Sequence, residues 1–67
     1  MSMSNKIVDK VFDSGKVIVR AGSKVITLTH SKSGNILAAD GGASIHRMSY
    51  HQALDYISDF EHCIKSY

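Results

Sequence analysis

The run "KVIVRAGSKVITLTHSKSGN", Lys16 to Asn35, constrains this chain more than any other stretch. Its segments are rich in Val, Ile and Thr and are separated by Gly-containing breaks, the pattern of strands at hairpin spacing. A two-residue Gly22-Ser23 turn of type II′, glycine first, sets Val19 opposite Ile26 and Val17 opposite Leu28. The loop Lys32-Ser33-Gly34 suits a type I turn with a bulge, which sets His30 opposite Ile36 and Leu28 opposite Ala38. A third turn at Gly41-Gly42 would pair Ala38 with Ile45. One face then gathers Val17, Val19, Ile26, Leu28, Ile36, Ala38 and Ile45. Separate turn readings converge on one apolar face, and that agreement across levels is the main argument for the fold.

An apolar sheet face must be covered, and the C-terminal segment has the periodicity to cover it. Ser49 is a helix N-cap, and Gln52 three residues on completes a capping box. Tyr50, Ala53, Leu54, Ile57, Phe60, Ile64 and Tyr67 follow at helical spacing. Residues 6–12, "KIVDKVF", have two readings: a short helix capped by Ser4, or an edge strand. The β-branched residues and the following "DSG" favour the strand, pairing Val11 with Val17 and Phe12 with Lys16. The expected fold class is α+β: an antiparallel β-meander of four to five strands with one C-terminal α-helix packed on one face. The chain is one domain over residues 1–67, with 1–5 a loose terminus, about 6–47 the meander and about 49–65 the helix.

The opposite face raises a question. It would hold Val8, Lys10, Phe12, Lys16, Ile18, Arg20, Val25, Thr27 and Thr29, where a solvated face would be mainly polar. Isolated surface apolarity is common and needs no function. An apolar patch with a basic rim is also the composition of a contact surface. The candidate partner-binding residues are Lys16, Ile18, Arg20 and Val25 on this face, with Lys32 at the second turn.

Composition excludes several function classes. A chain of 67 residues buries only about 60% of the surface its unfolded form exposes, so its stability is marginal without help. No disulfide within the chain supplies that help, because Cys63 is the only cysteine. An unpaired thiol suits a reducing compartment, here the cytoplasm. The segment "MSMSNK" has no apolar signal core, and no apolar run reaches the roughly 20 residues of a spanning helix.

No catalytic or metal constellation is complete. His51 and Asp55 stand at i, i+4 with His62 on the same helical face. Seven residues of helix, about 10 Å of rise, hold His62 away from the other two. Zinc needs its ligands at about 2 Å. His46 could approach His51, but a tetrahedral set is missing, and His30 reads as a partly buried sheet residue. Cys63 falls beside the core stripe near a helix C-terminus, where the dipole disfavours a thiolate. "ADGGAS" has the glycines of a phosphate loop without its lysine or a following helix. The sequence therefore points to no cofactor, no metal and no catalytic residues.

Binding is the remaining class. The formal charge of +2 is a weak nucleic-acid footprint. Basic sheets that hold single strands stack the bases on aromatic residues, and only Phe12 could serve on this face. A meander with one C-terminal helix, together with the basic turn "HSKSGN" at 30–35, resembles several small phage-encoded inhibitors. Among these are anti-CRISPR proteins that dock on the Cas backbone subunits of a type I surveillance complex. The resemblance implies a non-enzymatic cytoplasmic inhibitor that binds a protein or ribonucleoprotein by its surface, with Lys or Arg where the target holds nucleic-acid phosphate or an acidic patch. Direct nucleic-acid binding and a self-associating structural module are the rival expectations, and the chain is expected to be a monomer or a homodimer.

Overall fold

Gly22 adopts a φ of +61° while no non-glycine residue among those described takes a positive φ, so the first hairpin turns with the type II′ combination. The computed structural model describes residues 3–42 and 45–67. On either side of that turn run strands β1 (Lys16–Ala21) and β2 (Lys24–His30), with Val17 opposite Leu28 and Val19 opposite Ile26. Gly34 N–H donates to the Ser31 carbonyl at 3.1 Å in the next turn. Strand β3 (Ile36–Ala39) then returns with His30 opposite Ile36 and Leu28 opposite Ala38. Both registers are those the turn residues demand.

The third register is shifted. Strand β4 (Ile45–Met48) pairs Ala39 with Ile45 and Ala38 with His46, where the sequence suggested Ala38 with Ile45. A slip of one residue turns every side chain to the other face. Ile45 leaves the core and is 65% exposed, while Met48 turns inward against the buried cluster. The Gly41-Gly42 turn runs into residues 43 and 44, which lie outside the described residues.

Residues 6–12 are helical, contrary to the edge-strand reading. Helix α1 (Met3–Ser14) buries Ser4, Ile7, Val8 and Val11, an i, i+3, i+4, i+7 stripe, and exposes Lys6, Asp9, Lys10 and Asp13. β-Branched residues lose at most about 0.7 kcal/mol each in a helix relative to alanine. Full burial of an Ile or Val contributes about 1.5–3 kcal/mol. Packing therefore outweighs local preference. Gly15, at φ +88°, ends the helix by donating its N–H to the Val11 carbonyl at 2.8 Å, so "DSG" is a helix C-cap and not a hairpin loop. The expected loose terminus is structured from Met3 onward; Met1 and Ser2 lie outside the described residues.

The C-terminal helix is shorter than its periodicity suggested. Helix α2 (Tyr50–Ser58) starts at Ser49 with the full capping box: Gln52 N–H donates to the Ser49 hydroxyl at 3.2 Å, and Ser49 N–H to Gln52 Oε1 at 2.9 Å. It stops at Asp59, and a short 3-10 helix, Glu61–Cys63, leads into strand β5 (Ile64–Ser66). Strand β5 pairs antiparallel with β1, Ile64 opposite Ala21 and Ser66 opposite Arg20, in the edge position assigned above to residues 6–12.

The fold is α+β, a five-stranded antiparallel sheet in the order β4-β3-β2-β1-β5 with two helices. Ile7, Val8 and Val11 of α1 and Ala53 and Ile57 of α2 close over Val17, Val19, Ile26, Leu28, Ile36 and Ala38. Both helices thus occupy one side of the sheet. No helix among the described residues is long and apolar enough to cross a membrane.

Candidate functional site

The uncovered side of the sheet is ordered by its registers into cross-strand rows. Lys16, Thr29, Leu37 and Arg47 form one row; Ile18, Thr27, Ala39 and Ile45 form the next; Arg20 and Val25 begin a third. Ile18 is 44% exposed and Val25 46%, while Thr27, Thr29, Leu37 and Ala39 between the flanks are half-buried by their neighbours. Lys16 and Arg20 stand on β1 and Arg47 on β4, all exposed. Strands lie about 4.8 Å apart, which puts Lys16 and Arg47 about 14 Å apart across the face.

Four of the five candidate residues, Lys16, Ile18, Arg20 and Val25, therefore share one surface. Lys32 does not lie on it. It is exposed at the tip of the β2–β3 turn, at the end of the sheet that carries Lys16 and Arg47. Val8, Lys10 and Phe12 leave the face altogether, because α1 carries them to the other side. Arg47 and Ile45 replace them. The signal for those two was present in "IHRM": a register facing Arg47 to the core would bury an unpaired charge, which is far costlier than exposing isoleucine.

The electrostatics of this face are one-sided. No aspartate or glutamate occupies an outward position on the strands, and none of Lys16, Arg20 and Arg47 pairs with a carboxylate among the described residues. No aromatic ring stands there either. Phe12 stacks instead on the helical side, 5.4 Å from the His30 ring and 6.2 Å from Tyr50, and Tyr50 meets His51 edge-on at 5.7 Å. His30 is exposed beside Phe12, not partly buried as its strand position suggested.

A hollow lies away from these cations. A cleft of about 350 Å³ opens between the β1–β2 turn and the end of α2, lined by Ala21, Gly22, Ser23, Lys24, Ile26, Tyr56, Phe60 and Cys63. Tyr56 and Phe60 pack edge-to-face at 5.3 Å to form one wall. Desolvation, followed by the nearby Asp40 charge, raises the pKa of the Tyr56 phenol above its ordinary value. Cys63 is exposed at the rim, not packed beside the core stripe, and the lining holds no imidazole or carboxylate to take its proton.

The histidines are dispersed. His62 falls in the 3-10 helix and leaves the face shared by His51 and Asp55. Among the described residues, no three His, Cys, Asp or Glu side chains are grouped to hold a metal ion. Tyr50 donates its hydroxyl to Asp9 Oδ1 at 3.3 Å; partial desolvation, the Asp9 charge and this bond raise its pKa. The arrangement can anchor a partner surface, with apolar contact at the centre and cations at the flanks. No protein-family model, no curated protein and no solved structure matches this chain.

Proposed function

We propose that the chain is a small non-catalytic binding protein that acts stoichiometrically, in the cytoplasm, on a protein or ribonucleoprotein with an acidic surface. The observation that supports this reading is the bare outer sheet face, which carries Lys16, Arg20 and Arg47 around Ile18, Val25 and Leu37 with no carboxylate and no ring. Protein–protein interfaces combine an apolar core with a polar, solvent-accessible rim. The cations favour fast association with an acidic partner. Lys32 extends the same charge beyond the end of the sheet.

Inhibition of a Cas surveillance complex is the finer reading that the phage-inhibitor resemblance implies. That resemblance rests on a meander with one helix, and the chain adds a second helix, α1, and an edge strand, β5, that lie outside it. Direct nucleic-acid binding would use the same cations, but single-strand binding sheets draw about 1–3 kcal/mol per base from aromatic stacking, and this face has no ring. Face-to-face dimerisation would set cations of one copy against those of the other, because a two-fold interface repeats the same patch.

Capture of the partner from the native host with wild-type protein and with Arg20→Glu and Ile18→Asp tests the reading. A defined complex recovered by the wild type and lost in both variants is expected. Retention of that complex by both variants overturns it. A gel shift with mixed oligonucleotides that weakens steeply with salt would transfer the face to nucleic acid, and a dimer in light scattering would transfer it to self-association.

A further inference from the structure

We infer that the segment received by the outer face is an acidic amphipathic α-helix of the partner, lying along strands β2 and β3 between two flanks of cations. The inference rests on the protein-partner reading above and specifies what touches the face.

Width is the first argument. Lys16 and Arg20 mark one flank on β1 and Arg47 marks the other on β4, about 14 Å apart at three strand spacings. A helix with its side chains is about 10–12 Å across. It fits between the flanks with its apolar stripe on Thr27, Thr29, Leu37 and Ala39, and leaves the three cations at the wet rim. A sheet wide enough to cover Ile18 and Ile45 together would bury those cations, at a desolvation cost that rim pairs avoid.

Backbone chemistry is the second argument. The central strands β2 and β3 spend their N–H and C=O groups on their neighbours in the ladder. A lone extended peptide lying flat on them would find no partner for its own backbone groups. A helix satisfies its own. The other side of the same sheet is covered in this manner, by α1 against β1 and β2.

Charge spacing is the third argument. Lys16 and Arg20 are four residues apart on one strand, about 13 Å. Two carboxylates eight residues apart on a helix rise about 12 Å, so one acidic flank can meet both. The opposite acidic flank meets Arg47. A second copy of this chain presents cations there, and the charge pattern excludes it.

The probes are three 18-residue synthetic peptides: a Leu/Ala stripe flanked by Glu on both sides, the same composition shuffled, and the stripe flanked by Lys. Amide shifts of the intact protein and the helical circular-dichroism signal of the mixture are the readouts. The Glu-flanked peptide is expected to gain helix, to move the amides of Thr27, Thr29, Leu37 and Ala39, and to weaken with salt. Lys16→Glu with Arg47→Glu should raise its dissociation constant at least tenfold, and that folded double variant should now take up the Lys-flanked peptide. Equal binding of the shuffled peptide, or shifts elsewhere on the protein, overturns the inference. Absence of binding by the Glu-flanked peptide also overturns it, even where Arg20→Glu abolishes the host complex, and in that case the protein-partner reading survives. Where outer-face substitutions leave the host complex intact, that broader reading falls as well.

Discussion

The Ser4 hydroxyl donates a 3.0 Å hydrogen bond to Glu61 Oε2, joining residues 57 apart in sequence. The same carboxylate accepts the Met3 N–H through Oε1 at 3.2 Å. Ser58 then donates its hydroxyl to the Ser4 oxygen at 2.9 Å, which satisfies a side chain that is almost wholly buried. Helix α1 has no acidic residue in its own first turn. Glu61 supplies, from the other end of the chain, the negative charge and the acceptor that a helix N-terminus calls for.

Glu61→Ala is therefore expected to destabilise the protein by about 1–2 kcal/mol, the usual cost of losing a capping acceptor. Urea denaturation followed by circular dichroism measures it. Glu61→Gln, which retains acceptors without the charge, should cost less. Equal stability of Glu61→Ala and wild type would show that the carboxylate does not hold α1.

Ile7→Ala and Ile57→Ala should each cost about 2–5 kcal/mol, because both side chains are fully buried, one under each helix. Leu54→Ala should cost less, since Leu54 is only half-buried. In a domain this small the first two losses approach the whole stability. Retention of a cooperative thermal transition by Ile7→Ala near the wild-type temperature would remove α1 from the core.

The first three strands were legible, but the register of β4 and both ends of the chain were not, for a physical reason. Turns at Gly22 and Gly34 fix pairing locally, so Val17, Val19, Ile26, Leu28, Ile36 and Ala38 could be placed on one face. Gly15 carried an ambiguous signal: a hairpin loop and a helix C-cap both want a glycine with positive φ after a polar pair. Only the need for α1 to cover the sheet decides between them. Phe60 and Ile64 kept helical spacing because both still pack on the core, though from the turn after α2 and from β5. No glycine or proline marks the break at Asp59. On the candidate face, Lys16, Ile18, Arg20 and Val25 followed from β1–β2 alternation, whereas Arg47 depended on the length of a loop whose glycines admit more than one turn.

Arg20→Glu, Arg47→Glu and Ile18→Asp should weaken partner binding while moving stability by no more than about 0.5 kcal/mol, as exposed positions outside caps and core usually do. Lys32→Glu tests whether the turn extends the contact. The control is His51→Ala with His62→Ala, expected to leave binding unchanged. Titration calorimetry with the recovered partner measures all five. Intact binding in the outer-face set with loss in the histidine pair would move the site to the helical side.

Tyr56 predicts an alkaline limit. Its phenol holds its proton more tightly in the folded chain than in the unfolded one. The folded form is thereby favoured at pH below the unfolded value of about 10. That contribution is lost as pH rises through the higher folded value, since the unfolded chain then releases more protons. Tyr56→Phe should flatten the fall in melting temperature at alkaline pH. Asp40→Asn should bring the phenolate absorbance of Tyr56 in at lower pH, and an unmoved titration would discount the Asp40 charge.

The pairing of Ser4 with Glu61 also orders events in time. A two-residue turn lets β1 and β2 zip within microseconds, but the clasp between α1 and the 3-10 segment must first close a loop of 57 residues against chain entropy. That entropy cost leads us to expect it to form after the barrier, on the native side. Loss of the Glu61 carboxylate should then leave the refolding rate nearly unchanged and show itself as faster unfolding. On this reading the clasp lengthens the time a molecule stays folded, and the hairpins govern how quickly it folds.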